Sequence, residues 1–91
     1  MRKLRWEAEA RRQYRDTLTS IASNVAAAAQ RFGAAIEERL MLLERFAEIG
    51  RPGRVAGTSE LIVHPNYIVN YSVRPATIDI IRFLHARRLY P

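Results

Sequence analysis

The chemistry available to this chain is concentrated in arginine: fourteen of its fifteen basic residues are Arg, and Lys3 is the only lysine. A guanidinium is planar, permanently charged and able to grip a carboxylate or phosphate with two parallel hydrogen bonds, which suits anion recognition better than proton transfer. Arg51 and Arg54 flank a Pro-Gly turn, Arg74 precedes a second proline, Arg82 interrupts an apolar run, and Arg87 and Arg88 follow His85. The histidines, a side-chain type suited to proton transfer, are His64 and His85. A histidine with no visible carboxylate to orient it is usually a hydrogen-bonded structural residue rather than an acid or base. Two histidines without cysteine give no metal-ligand spacing, so no metal or other cofactor is expected. With no cysteine there is neither a thiolate nucleophile nor a disulfide framework, which fits a reducing cytoplasm.

Fifteen cations against nine carboxylates leave a formal charge of +6. That favours an anionic partner such as nucleic acid, a ribosome or an acidic protein segment. Ninety-one residues suggest one domain, 1–91. A chain of this size buries only about 60 to 68% of its unfolded surface, so a partner covering more apolar area would stabilise it. With 48% apolar and 26% charged residues, a folded domain is expected. No stretch approaches the roughly 18 apolar residues of a membrane span, and the basic N-terminal residues lead into no apolar signal region.

The elements that must position these groups follow from periodicity. Arg2 to Trp6 alternates as a short edge strand, with Leu4 and Trp6 opposed to Lys3 and Arg5. From Glu7 the period becomes helical, with Ala10, Tyr14, Leu18 and Ile21 on one face. Asn24 is the expected N-cap of a second helix whose stripe runs Val25, Ala28, Ala29, Phe32, Ile36, Leu40, Leu43 and Ala47. Leu42, Phe46 and Ile49 lie beside that stripe and widen it, and Gly50 is expected to end the helix near Ile49. Tyr14, Phe32 and Phe46 are expected in the core, with Trp6 anchoring the first strand against the helices. Thr58–His64, Tyr67–Val73 and Thr77–His85 read as three antiparallel strands joined by the turns His64-Pro65-Asn66 and Arg74-Pro75-Ala76. The middle strand alternates strictly, which leaves one face buried and one available; the third carries Ile78, Ile80, Arg82 and Leu84 on one side and Asp79, Ile81, Phe83 and His85 on the other.

A strand, a helical hairpin, Gly50-Arg51-Pro52-Gly53-Arg54 and a strand entered through Gly57-Thr58-Ser59-Glu60-Leu61 form an order that resembles the RelE/ParE superfamily of type II toxin-antitoxin toxins. The ending Ile80-Ile81-Arg82-Phe83-Leu84-His85-Ala86-Arg87-Arg88-Leu89-Tyr90-Pro91 is similar to the ParE-type ending, a hydrophobic strand bearing Arg that leads to His, a basic stretch and an aromatic-Pro close. The resemblance implies an α+β fold: an N-terminal strand and an antiparallel helical hairpin packed on a small curved antiparallel sheet. It also implies a cognate antitoxin in a toxin-antitoxin hetero-oligomer, and action in the cytoplasm.

Two activities share that fold. ParE-type members inhibit DNA gyrase, whereas RelE-type members cleave mRNA on the ribosome. Cleavage, in which a 2′-hydroxyl attacks the adjacent phosphate, needs a base, an acid and cations for the developing charge. Arg74, Arg82, His85 and Tyr90 are the residues of suitable type. RelE-like nucleases generally combine lysines with arginines, and this chain has no lysine after Lys3. Gyrase inhibition is therefore the preferred reading, with Arg51, Arg54, Arg82, His85, Arg87, Arg88 and Tyr90 as target-binding residues and ribosome-dependent cleavage as the alternative. A third possibility is an inactive or nucleic-acid-binding module using Arg11, Arg12 and Arg15 on the first helix. The structural alternatives are that Arg51 and Arg54 satisfy helix C-terminal carbonyls, and that Glu60 bridges Arg74 and Arg82 on the open sheet face.

Overall fold

The structure is a computed structural model that describes residues 2–88, with the side chain of Arg88 left aside. Its elements run β1 (Lys3–Trp6), α1 (Ala8–Ala22), α2 (Ala26–Arg45), β2 (Arg51–Pro52), β3 (Ser59–His64), β4 (Tyr67–Val73), β5 (Thr77–His85) and a short 3₁₀ turn, Ala86–Arg88. One five-stranded sheet has the order β1-β5-β4-β3-β2. β2, β3, β4 and β5 pair antiparallel, and β1 adds to β5 in parallel, so the sheet is mixed.

Both helices pack on one face of this sheet. Ala10 of α1 and Phe32, Ile36, Leu40 and Leu43 of α2 form a single cluster with Leu61, Val63, Val69, Tyr71, Ile78, Ile80 and Phe83. Trp6 stacks on Tyr14 at 5.2 Å between ring centroids, and Tyr14 meets Phe83 edge-on at 5.0 Å, so aromatic contact ties β1 and α1 to β5. The Gln13 side-chain oxygen Oε1 accepts from the Phe83 amide at 2.9 Å, which satisfies this donor on the edge of β5 beyond the end of β1.

The second helix departs from the sequence expectation at both ends. Its N-cap is Val25 rather than Asn24, with no side-chain cap, and Asn24 sits in the preceding turn. Its C-terminus is Arg45 rather than Ile49, because Phe46 leaves helical geometry at φ −135° and ψ 78°. The residues that follow are held by Tyr71, whose hydroxyl donates to the Ala47 carbonyl at 2.8 Å and accepts from the Gly50 amide at 3.0 Å. Gly50 is thus required for close approach rather than as a helix-ending residue: a Cβ there would collide with the Tyr71 hydroxyl and the Glu60 carbonyl. After this early turn Phe46 (47% exposed), expected in the core, and Ile49 lie on the surface, as does Leu42 within the helix, so the apolar arc of α2 is only partly used in the core.

Candidate functional site

The sheet face away from the helices is built from cross-strand ladders. Register places Arg51 opposite Glu60, Glu60 opposite Asn70 and Asn70 opposite Arg82, one row across four strands. A second row runs Arg5, Asp79, Ser72 across β1, β5 and β4. A third, Ile62, Ile68, Leu84, is apolar. Directly opposed residues on one face lie close enough to interact, as Arg51 does with Glu60 and Arg5 with Asp79.

Two carboxylates in these rows are buried beneath their arginines. Asp79 (2% exposed) accepts from Arg5 Nε at 3.2 Å through one oxygen and from Arg74 Nε at 3.0 Å through the other. Hydrogen bonding from Arg5 is the largest influence holding its carboxyl below the usual range, with Thr77 and Arg74 adding to it against the opposing effect of burial. Glu60 (4% exposed) accepts from Arg51 Nε at 3.4 Å. The arginines themselves remain open, with side-chain exposures of 62% for Arg5, 64% for Arg74 and 52% for Arg51. Between the rows, Arg54, Val55, Glu60, Asn70, Arg82 and Leu84 line a shallow depression of about 190 Å³. Asn70 donates to the Ser59 carbonyl at 3.2 Å, and Ser72 donates to the Gly57 carbonyl at 3.3 Å, which ties the 53–58 loop to this face.

These contacts revise three expectations. Glu60 does not bridge Arg74 and Arg82; it holds Arg51, and Arg74 is held by Asp79. Arg51 belongs to a two-residue strand bonded to that acid, which takes the place of a role at the carbonyl end of α2. The middle strand is buried on both faces, Ile68 and Asn70 included, because the polar and apolar ladders cover its second face without a helix.

The histidines sit on the other side. His85 meets the Tyr67 ring edge-on at 5.1 Å, Tyr67 stacks on Phe83 at 5.2 Å, and His85 Nδ1 accepts from the Arg87 amide at 3.2 Å. His64 packs at 4.9 Å from Phe32, and its Nδ1 accepts from the Asn66 amide at 3.4 Å. Both are strand-end residues within an aromatic cluster. The four residues suited to phosphate cleavage are therefore not assembled: Arg74 stands at the β4–β5 turn, Arg82 on the outer face and His85 among the covered aromatics, while Tyr90 lies outside the described residues. Arg87 is exposed after β5, and nothing is described of the Arg88 side chain. Among the described residues no group of three or more His, Cys, Asp or Glu is arranged to hold a metal ion, and no helix is long and apolar enough to cross a membrane.

Residues 4–90 match the family described as the ParE toxin of the type II toxin-antitoxin system parDE. The chain belongs to the ParE toxin family. Its fold is similar to that of a solved chain from the chromosomal ParDE toxin-antitoxin system of P. aeruginosa, with a TM-score of 0.83 over 93% of this chain and 96% of the other, at 21% identity. No curated protein matches its sequence.

For a ParE-family chain of this composition, the residues that sequence reasoning overlooked are Asp79, Arg5 and Asn70. The signal for Asp79 was a carboxylate inside an otherwise apolar strand, which is costly to bury without a partner. It was obscured by a bulge. Tyr71 pairs with Ile80 and Asn70 with Arg82, so Ile81 has no opposite residue and the alternation of β5 shifts there. Phe83 then joins Ile78 and Ile80 in the covered core, and Arg82 joins Asp79 on the outer face, in place of the strict two-sided split the sequence suggested.

Proposed function

We propose that this chain is a single ParE-like toxin domain that arrests growth in the cytoplasm by binding and inhibiting DNA gyrase, and that a cognate antitoxin neutralises it in a hetero-oligomer. The observation that carries the preference for binding over cleavage is the dispersal of Arg74, Arg82 and His85 across both faces of the sheet. General acid-base catalysis needs its groups within hydrogen-bond reach of one reacting phosphate. Contact with a protein target instead requires exposed anchors, for which Arg51, Arg54, Arg82 and Arg87 are suitably exposed; His85, Arg88 and Tyr90 complete the proposed target-binding set.

Antitoxin binding is supported by the groove of about 430 Å³ lined by Leu4, Trp6, Tyr14, Leu40 and Met41, with Met41 63% exposed. An amphipathic segment laid in that groove would cover apolar surface the small core leaves open. Induction of the chain in cells, followed within one division by plasmid topology and mRNA integrity, tests the reading. Relaxed plasmid with intact mRNA is the expected result, reversed by co-expression of the antitoxin; cut mRNA with normally supercoiled plasmid would replace it with ribosome-dependent cleavage.

A further inference from the structure

The outer sheet face carries more cations than the fold needs for its own pairing. Its two acidic ladders hold three arginines, Arg5, Arg51 and Arg82, and Arg74 reaches Asp79 from the β4–β5 turn, which sets four cations against two carboxylates, Glu60 and Asp79. At one corner Arg2 Nε donates to the Arg74 carbonyl at 2.7 Å and brings a further cation alongside. On α1, by contrast, Arg12 is bonded both to Glu9 at 2.8 Å and to Asp16 at 3.2 Å.

The arginines of the sheet are also pre-oriented. In the ion pairs to Asp79 and Glu60 each guanidinium donates through Nε, which leaves its two terminal nitrogens out of those bonds on a side chain more than half exposed. A guanidinium already fixed by a buried carboxylate loses little further side-chain freedom when it grips an anion. We propose that this face binds the phosphate backbone of duplex nucleic acid, with Arg5, Arg74, Arg82 and Arg51 as the contacting cations.

The spread of these residues over both ladders fits a repeating anion rather than one carboxylate or one phosphate. Duplex is favoured over single strands because no aromatic residue occupies either acidic ladder, while the stacked and edge-on rings of Trp6, Tyr14, Phe32, Tyr67 and Phe83 pack with one another on the helix side, which leaves the ladder residues without a platform for stacking bases. The surface is sequence-tolerant, since backbone contacts carry no base information.

The test is a fluorescence-anisotropy titration of the purified full chain with a 20-bp duplex of arbitrary sequence across a salt series. Four phosphate contacts, one for each named arginine, give a slope of about −3.6 in log affinity against log salt. Arg82→Gln, which strands no buried carboxylate, and Arg74→Gln, which leaves Asp79 with Arg5, should each weaken binding several-fold and flatten the slope by about 1. Arg15→Gln on α1 should leave both unchanged, with thermal melts verifying that every variant is folded. Absence of duplex binding at low salt, equal loss with Arg15→Gln, or tighter binding of a single strand or of a polyglutamate peptide would overturn the proposal. Gyrase takes no part in the titration, so its failure would leave the proposed function standing.

Discussion

The two faces of this sheet are buried by different means. On the covered face, Ile78, Ile80, Phe83 and Tyr71 are shielded by two helices and packed against other apolar groups. On the outer face Asp79, Asn70, Glu60 and Ile68 reach comparable burial with neither helix over them, under cross-strand neighbours and, for the two acids, arginine side chains. A long guanidinium can cover a carboxylate with its stem while its charged end stays in water. The first face supplies cohesion; the second exposes fixed positive charge at the sites where it hides negative charge.

The largest effect expected from this contrast is on the covered side. Ile80→Ala should cost about 2 to 5 kcal/mol in denaturant unfolding, the range for a fully buried aliphatic truncated in a packed core. A cost below about 1 kcal/mol would show that the helices do not shield this face as described. Next in size is Tyr71→Phe, which leaves the Ala47 carbonyl and the Gly50 amide without their partner. A loss of about 1 to 3 kcal/mol is expected, read from the same unfolding curves.

Asp79 sharpens the comparison through pH. Its folded carboxyl titrates below its unfolded value because Arg5, Thr77 and Arg74 stabilise the ionised form. The stability it contributes is therefore fully present above the unfolded value near pH 4 and is lost as pH falls from there through the lowered folded value. Asp79→Asn should lower the melting temperature at pH 7 and reduce the further drop as the pH falls below about 4. An acid limb identical to the parent chain would remove Asp79 as the anchor. The smallest effect belongs to Ile62→Ala, on the outer face and 49% exposed, for which a change within about 0.5 kcal/mol is expected.

Most of the covered face was legible in the sequence. Helical period over Ala10, Tyr14 and Leu18, and over Phe32, Ile36, Leu40 and Leu43, identified the residues that pack, and the limits of β4 and β5 followed from their flanking turns. The outer face was much less so. Its composition depends on a one-residue bulge at Ile81 and on the parallel docking of β1, neither of which leaves a local pattern. The end of α2 was misjudged for a similar reason, because Tyr71, 21 residues beyond Gly50, fixes the chain that follows the helix. Arg51-Pro52 reads as a turn in sequence, and only pairing with Ser59 and Glu60 makes it a strand.

The most direct test of the central claim is a gyrase supercoiling assay in which the full-length chain is titrated against fixed enzyme and relaxed plasmid, with a parallel series containing the cognate antitoxin. Dose-dependent loss of supercoiling that equimolar antitoxin restores is the predicted result. Unimpaired supercoiling at large molar excess of a folded chain that still arrests growth in cells would contradict the account.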